Sequence, residues 1–153
     1  MAAFMWNANP VKWNVVPPST TSWEALKNYV VDDSNYVYWS TPVLQSAIRV
    51  GDHALIWRTK SPNGPSGIIA VGHVAERPRQ LLSVATGTLF DLPVRMEAAG
   101  WSESEAPSQW KTGIRIDRVF WNSPLQVSFS ASQGTLRRLT DDELREVESR
   151  TSA

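Results

Sequence analysis

Eight tryptophans in 153 residues are the first feature of this chain with chemistry in it. One of them opens the tetrad Trp39-Ser40-Thr41-Pro42, an aromatic plane beside two small hydroxyls. Indole faces next to hydrogen-bonding groups are how proteins stack on flat ligands and read their edges, nucleobases above all. Most of the eight are expected to serve as packing, because tryptophan is highly buried on average. Two or three remain to line a site.

Other reactive chemistry is thin. The chain has no cysteine, which removes disulfides, thiolate zinc ligation and cysteine nucleophiles together. The two histidines, His53 and His73, stand in β-rich runs without further ligand residues at metal spacing and read as structural. There is no Gly-rich phosphate loop, no Ser-His-Asp ordering with a nucleophile turn and no zinc-deaminase signature. The carboxylates are scattered, as on a solvated surface. These residues describe a binding module with no catalytic group, no metal and no cofactor.

Fifteen basic and fifteen acidic residues leave a formal net charge of zero. That weighs against coating nucleic acid by bulk electrostatics and leaves room for a pocket reader with a few phosphate contacts. Arg58, Lys60, Arg77 and Arg79 fall together in the middle of the chain as a candidate face for a nucleic-acid backbone, with Lys111, Arg115 and Arg118 later. The acids collect at Glu103, Glu105 and from Asp141 to Glu148. The N-terminus has no basic n-region or cleavage site, and no apolar run approaches the roughly 20 residues of a membrane helix. A cytoplasmic protein without a membrane partner is expected.

The elements that must position these residues read as mostly strand. Ala3–Trp6, Tyr36–Trp39, His53–Arg58, Gly67–Glu76, Phe90–Met96, Ile114–Ile116 and Val127–Phe129 carry β-rich or alternating patterns. Pro93 would put its strand on an edge or at a bulge. Two helices are signalled by capping boxes, Thr21 with Glu24 and Thr140 with Glu143. Trp23, Leu26 and Val30 follow the first at helical spacing. Leu139 and Leu144 stand at staple positions around the second, Asp141 and Asp142 suit its first turn, and Leu144 with Val147 gives it an apolar face. The Ser-, Glu- and Pro-rich stretch from Trp101 to Trp110 reads as a surface excursion. With no repeat and no long linker, residues 1–153 form one domain: α+β, mainly β, a small β-barrel with peripheral helices.

Taken together, several segments resemble the EVE domains and their relatives the YTH domains, in the PUA-like superfamily. They are Phe4-Met5-Trp6-Asn7-Ala8-Asn9-Pro10 with Trp13; Trp39-Ser40-Thr41-Pro42; Val50-Gly51-Asp52 with Ala54-Leu55-Ile56-Trp57-Arg58; Gly67-Ile68-Ile69-Ala70-Val71-Gly72-His73-Val74; and Ile114-Arg115-Ile116-Asp117-Arg118-Val119 leading to Gly134-Thr135 and the final helix. Their order covers the chain from about Ala3 to Val147. The resemblance implies a PUA-like barrel of five to seven strands that reads a methylated or hydroxymethylated base, flipped from modified DNA or RNA into an aromatic pocket. It also implies that any cleavage comes from a separately encoded nuclease.

On that resemblance Trp39 is the leading wall of the pocket and Ser40 a hydrogen-bonding neighbour. Asn7 and Asn9 fall where the family places polar readers of the base edge, a task the amide suits because it both donates and accepts. Asp117 and Arg118 stand where the YTH pattern continues from an acidic residue to a second tryptophan, so Arg118 replaces an aromatic wall with a guanidinium that stacks or meets a phosphate. Trp57 is a further pocket candidate. It and Arg58 are consecutive on a strand and must face opposite ways. Two other readings fit the same residues: an aromatic cage for a small cation or methylated peptide, and a non-catalytic adaptor in a defence or RNA-processing complex.

Overall fold

The computed structural model describes residues 1–8, 35–59, 65–81, 109–131 and 136–152. Among the described residues six strands form one mixed sheet: β1 (Ala3–Ala8), β2 (Tyr36–Ser40), β3 (His53–Arg58), β4 (Gly67–Leu81), β5 (Gln109–Val119) and β6 (Leu136–Arg138). Their spatial order is β2-β5-β4-β3-β1-β6, with β1 parallel to β3 and every other pair antiparallel. One helix, α1 (Asp141–Thr151), follows β6. The expected α+β, mainly β architecture is the one the chain adopts.

Both faces of the central strands are buried, which explains their nearly continuous apolar runs. Phe4, Trp6 and Ala8 of β1 share one core with Ala54 and Ile56 of β3, Trp39 of β2 and Ile114 and Ile116 of β5. The alternate residues Ala3, Met5, Leu55 and Trp57 form a second core on the other face, under Val147 and Leu144 of α1 and the apolar residues of the 125–131 segment. Period-two alternation thus sorts β1 and β3 between an inner core and a helix-covered outer one.

Two glycines of the sequence motif have backbone reasons. Gly51 turns the chain into β3 with φ +94°, a left-handed conformation that glycine adopts without Cβ strain. Asp52 then accepts a bond from the Arg49 amide at 2.9 Å and closes that turn. Gly72 lies where β4 slips register against β5, and a Cβ there would stand 2.0 Å from the Arg115 carbonyl oxygen. Only a residue without a side chain allows that approach.

The C-terminal helix begins as its capping box requires. Thr140 Oγ1 accepts from the Glu143 amide at 3.1 Å, and Glu143 accepts from the Thr140 amide at 2.9 Å. Leu139 and Leu144 meet in the outer core as the staple. Arg137 of β6 also bonds both Glu143 oxygens, at 3.0 and 2.8 Å, which holds that carboxyl down to about 2. Strand and helix are locked together by one side chain.

Two expectations are corrected. Val127–Phe129 is not a strand: the Ser128 amide and hydroxyl both donate to Glu146 of α1, so this backbone is satisfied by a side chain instead of a ladder. Its apolar residues still pack, against the outer core. The sixth strand is instead Leu136–Arg138, paired with β1. The expected first helix from Thr21, Trp13, the Phe90–Met96 strand and most of the Trp101–Trp110 excursion lie outside the described residues.

Candidate functional site

The Trp39 tetrad stands at the end of β2, an edge of the sheet among the described residues. Register on β5 runs Trp39 to Thr112 and Ser40 to Lys111, and the Thr41 amide continues it by donating to the Trp110 carbonyl at 2.9 Å. Thr41 Oγ1 donates to the Trp39 carbonyl at 3.1 Å and shares a hydrogen bond with Thr112 Oγ1. Both threonines are fully buried. Trp39, Thr41, Thr112 and Trp110 therefore alternate onto one ladder face. Trp39 and Trp110 are diagonal neighbours there, an arrangement within reach of large aromatic side chains. Trp39 is 6% exposed and Trp110 40%. The result is a nearly buried indole and an open one around a pair of pinned hydroxyls.

The other face of this ladder end is polar. Lys111 is 7% exposed, and burial lowers its pKa to about 8. Further along, the Tyr36 and Tyr38 phenols both donate to Glu76 Oε2, the latter at 2.7 Å. Burial and that carboxylate raise both phenol pKa values. Arg79 pairs with Glu76 at 2.5 Å and stands opposite Lys111 in the β4–β5 register. Arg77 and Arg79 are exposed, so two of the four expected phosphate-contacting residues flank the strand end that carries Trp110.

The remaining candidates do not converge on Trp39. Arg58 is 2% exposed inside the inner core, where it donates to the Pro65 and Trp121 carbonyls and stacks on the Trp121 ring. Its guanidinium braces the interior. Trp57 lies on the outer face under the 125–131 segment, because alternation turns it away from Arg58. Asn7 is its ladder partner on β1 and shares that outward parity. Asp117 and Arg118 sit at the far end of β5. Asp117 pairs with His73 Nδ1 at 2.6 Å, and Arg118 reaches the Thr151 carbonyl and the Phe120 ring. Trp121 packs in the inner core, away from Arg118. The Ser40 side chain, Asn9 and Lys60 lie outside the described residues.

Two features were not legible as site elements. Trp110 reads from sequence as the end of a loop, and only the β2–β5 register sets it beside the tetrad. The two histidine rings meet at a tilt, centroids 5.4 Å apart, across the β3–β4 pair. Among the described residues no group of three or more His, Asp or Glu could hold a metal ion, and no helix is long and apolar enough to cross a membrane.

No protein-family model and no curated protein sequence matches the chain. Solved structures do. Human THYN1 in complex with 5-methylcytosine-containing DNA superposes with a TM-score of 0.56 at 11% identity, over 97% of this chain and 96% of that one. A hypothetical protein from Leishmania major gives 0.52 at 10% identity over 99% and 96%. A Pseudomonas putida protein gives 0.52 at 10% identity over 97% and 99%. At such identities the likeness speaks for the fold alone: this chain shares its fold with these three structures.

Proposed function

We propose that the chain is a non-catalytic reader of a modified base in DNA, with 5-methylcytosine the first candidate, inserted flipped between Trp39 and Trp110. One observation carries the reading: two indoles on one ladder face around the Thr41–Thr112 pair, in a fold shared along 97% of the chain with a protein solved on 5-methylcytosine DNA. Trp39 forms the back wall and Trp110 the open one. Arg77 and Arg79 meet the flanking phosphates.

The magnitudes suit a modest, selective binder. Stacking one base on an aromatic contributes about 1–3 kcal/mol. Burying the added methyl contributes about 0.8 kcal/mol, a discrimination of roughly fourfold from that term alone. Few phosphates are contacted, so the salt slope should be shallow.

The test is a tryptophan-fluorescence titration with short DNA and RNA oligonucleotides, single- and double-stranded, that are unmodified or carry methylcytosine, hydroxymethylcytosine or methyladenine. Saturable quenching by one modified DNA at lower concentration than by its plain counterpart is expected. Trp110→Ala, which removes a partly exposed side chain, should weaken that binding about five- to 150-fold. Equal binding of modified and plain oligonucleotides, or a folded Trp110→Ala protein that binds like the parent, would falsify the slot. Preference for methylated RNA would transfer the same slot to the other nucleic acid.

A further inference from the structure

The outer face of the sheet carries a second pocket, at the opposite end of β5 from Trp110. A cavity of about 190 Å³ lies between α1 and strands β3, β4 and β5. Its walls are largely apolar, with Leu55, Val71 and Val147 among them. An engineered cavity of roughly 150 Å³ holds a benzene ring, so this one takes a compact body of similar or slightly larger size.

Its polar lining is rich in acceptors. His73 Nδ1 lies 2.6 Å from Asp117 Oδ2. The carboxylates of Asp117 and Glu148 line the same cavity, from β5 and α1 respectively. Arg118, next to Asp117, is engaged with the Thr151 carbonyl and the Phe120 ring. Two carboxylates over an apolar floor favour a cation and disfavour an anion.

We infer that this pocket is a binding site for a small organic cation: one primary ammonium on a ring or branched hydrocarbon body. The ammonium sits between Asp117 and Glu148 and donates to their carboxylates, while the body lies against Val147 and Leu55. The site is independent of the base slot and shares no residue with it.

Benzylammonium is the probe, with benzyl alcohol as its neutral counterpart and benzoate as its anionic one, followed by amide shifts in two-dimensional NMR of the full chain. Saturable shifts at His53, His73 and Val147 are expected with benzylammonium, about tenfold weaker binding of benzyl alcohol, and none of benzoate. Asp117→Asn and Glu148→Gln alter exposed side chains, and each should weaken benzylammonium severalfold while leaving oligonucleotide binding unchanged. Equal binding of ammonium and alcohol would reduce the pocket to an apolar void. No shift with benzylammonium, or shifts that persist undiminished in both variants, would overturn the site.

Discussion

Lys111 is a quantitative probe of the strand end that carries the slot. It shares the β5 face with Gly113, stands opposite Ser40 and Arg79, and is 7% exposed. Burial lowers its pKa from 10.5 to about 8. In the unfolded chain the amine titrates near its ordinary value, so between pH ~8 and ~10.4 the unfolded state binds more protons than the native one. Stability must therefore rise with pH across that window, and below it the native chain carries the full cost of a desolvated ammonium.

The shift from 10.5 to about 8 corresponds to about 3 kcal/mol at roughly 1.4 kcal/mol per unit, and about 2 kcal/mol of it returns between pH ~7 and ~9.5. Lys111→Met keeps the apolar stem and removes the titrating group. Urea unfolding of parent and variant at several pH values reads the effect directly. The parent should gain on the variant by about 2 kcal/mol over that range. The Tyr36 and Tyr38 phenols, raised by burial and Glu76, act with the opposite sign above pH ~10 and are common to both proteins. Parallel curves for parent and variant would mean that the ammonium is solvated, and the buried frame behind Trp110 would lose its support.

Other perturbations separate frame from site. Glu143→Gln breaks the Arg137 bonds and weakens the cap, costing about 1 kcal/mol near neutrality. Because the Glu143 carboxyl is held at about 2, that stabilisation is complete above pH ~4.5 and fades as pH falls toward ~2, so thermal melts of the two proteins should converge in acid. Arg58→Lys leaves an ammonium unable to span the Pro65 and Trp121 carbonyls in one plane and should lower stability by about 2 kcal/mol in urea titrations. Trp57→Leu should reduce the melting temperature yet leave oligonucleotide affinity within error, since its indole lies on the helix-covered face; a loss of binding in the folded variant would place Trp57 in the site after all. Gly72→Ala drives a Cβ into the Arg115 carbonyl and should prevent native β4–β5 pairing, read as lost dispersion in amide NMR spectra.

What was legible in the sequence was local. His53–Arg58 announces itself as a strand because both its faces are buried and every residue but the first is apolar or stacked. Thr140 and Glu143 announce a helix because the cap is made by residues three apart. Gly51 and Gly72 mark places where a backbone demand, φ in one case and contact in the other, leaves glycine alone suitable. Val127–Phe129 misled because its apolar residues satisfy a packing need that strands share, while its amide went to Glu146. Nothing within three residues of Ser128 carries that information.

The site was less legible for the same reason. A strand's alternation tells which residues share a face of that strand, but not which face of the sheet it is. Asn7, Trp57, Asp117 and Arg118 are each plausible beside Trp39 until register is known, and register then disperses them over the outer face and the far end of β5. The same register brings in Trp110, 71 residues from Trp39 and joined to the tetrad by the Thr41 amide. The division of labour follows from that geometry. The outer face of β1 and β3 is packed by α1 and the 125–131 segment, so Trp57 there holds the fold. The inner face meets the sheet edge at β2, so its last indoles are the ones that a flat ligand can reach. Substitution of Trp57 under the helix should therefore change stability, and substitution of Trp110 at the β2–β5 end should change oligonucleotide affinity. A residue that moved both together, such as an inner-core Trp6→Phe weakening oligonucleotide binding beyond its effect on folding, would show that the slot extends deeper along the inner face than Trp39.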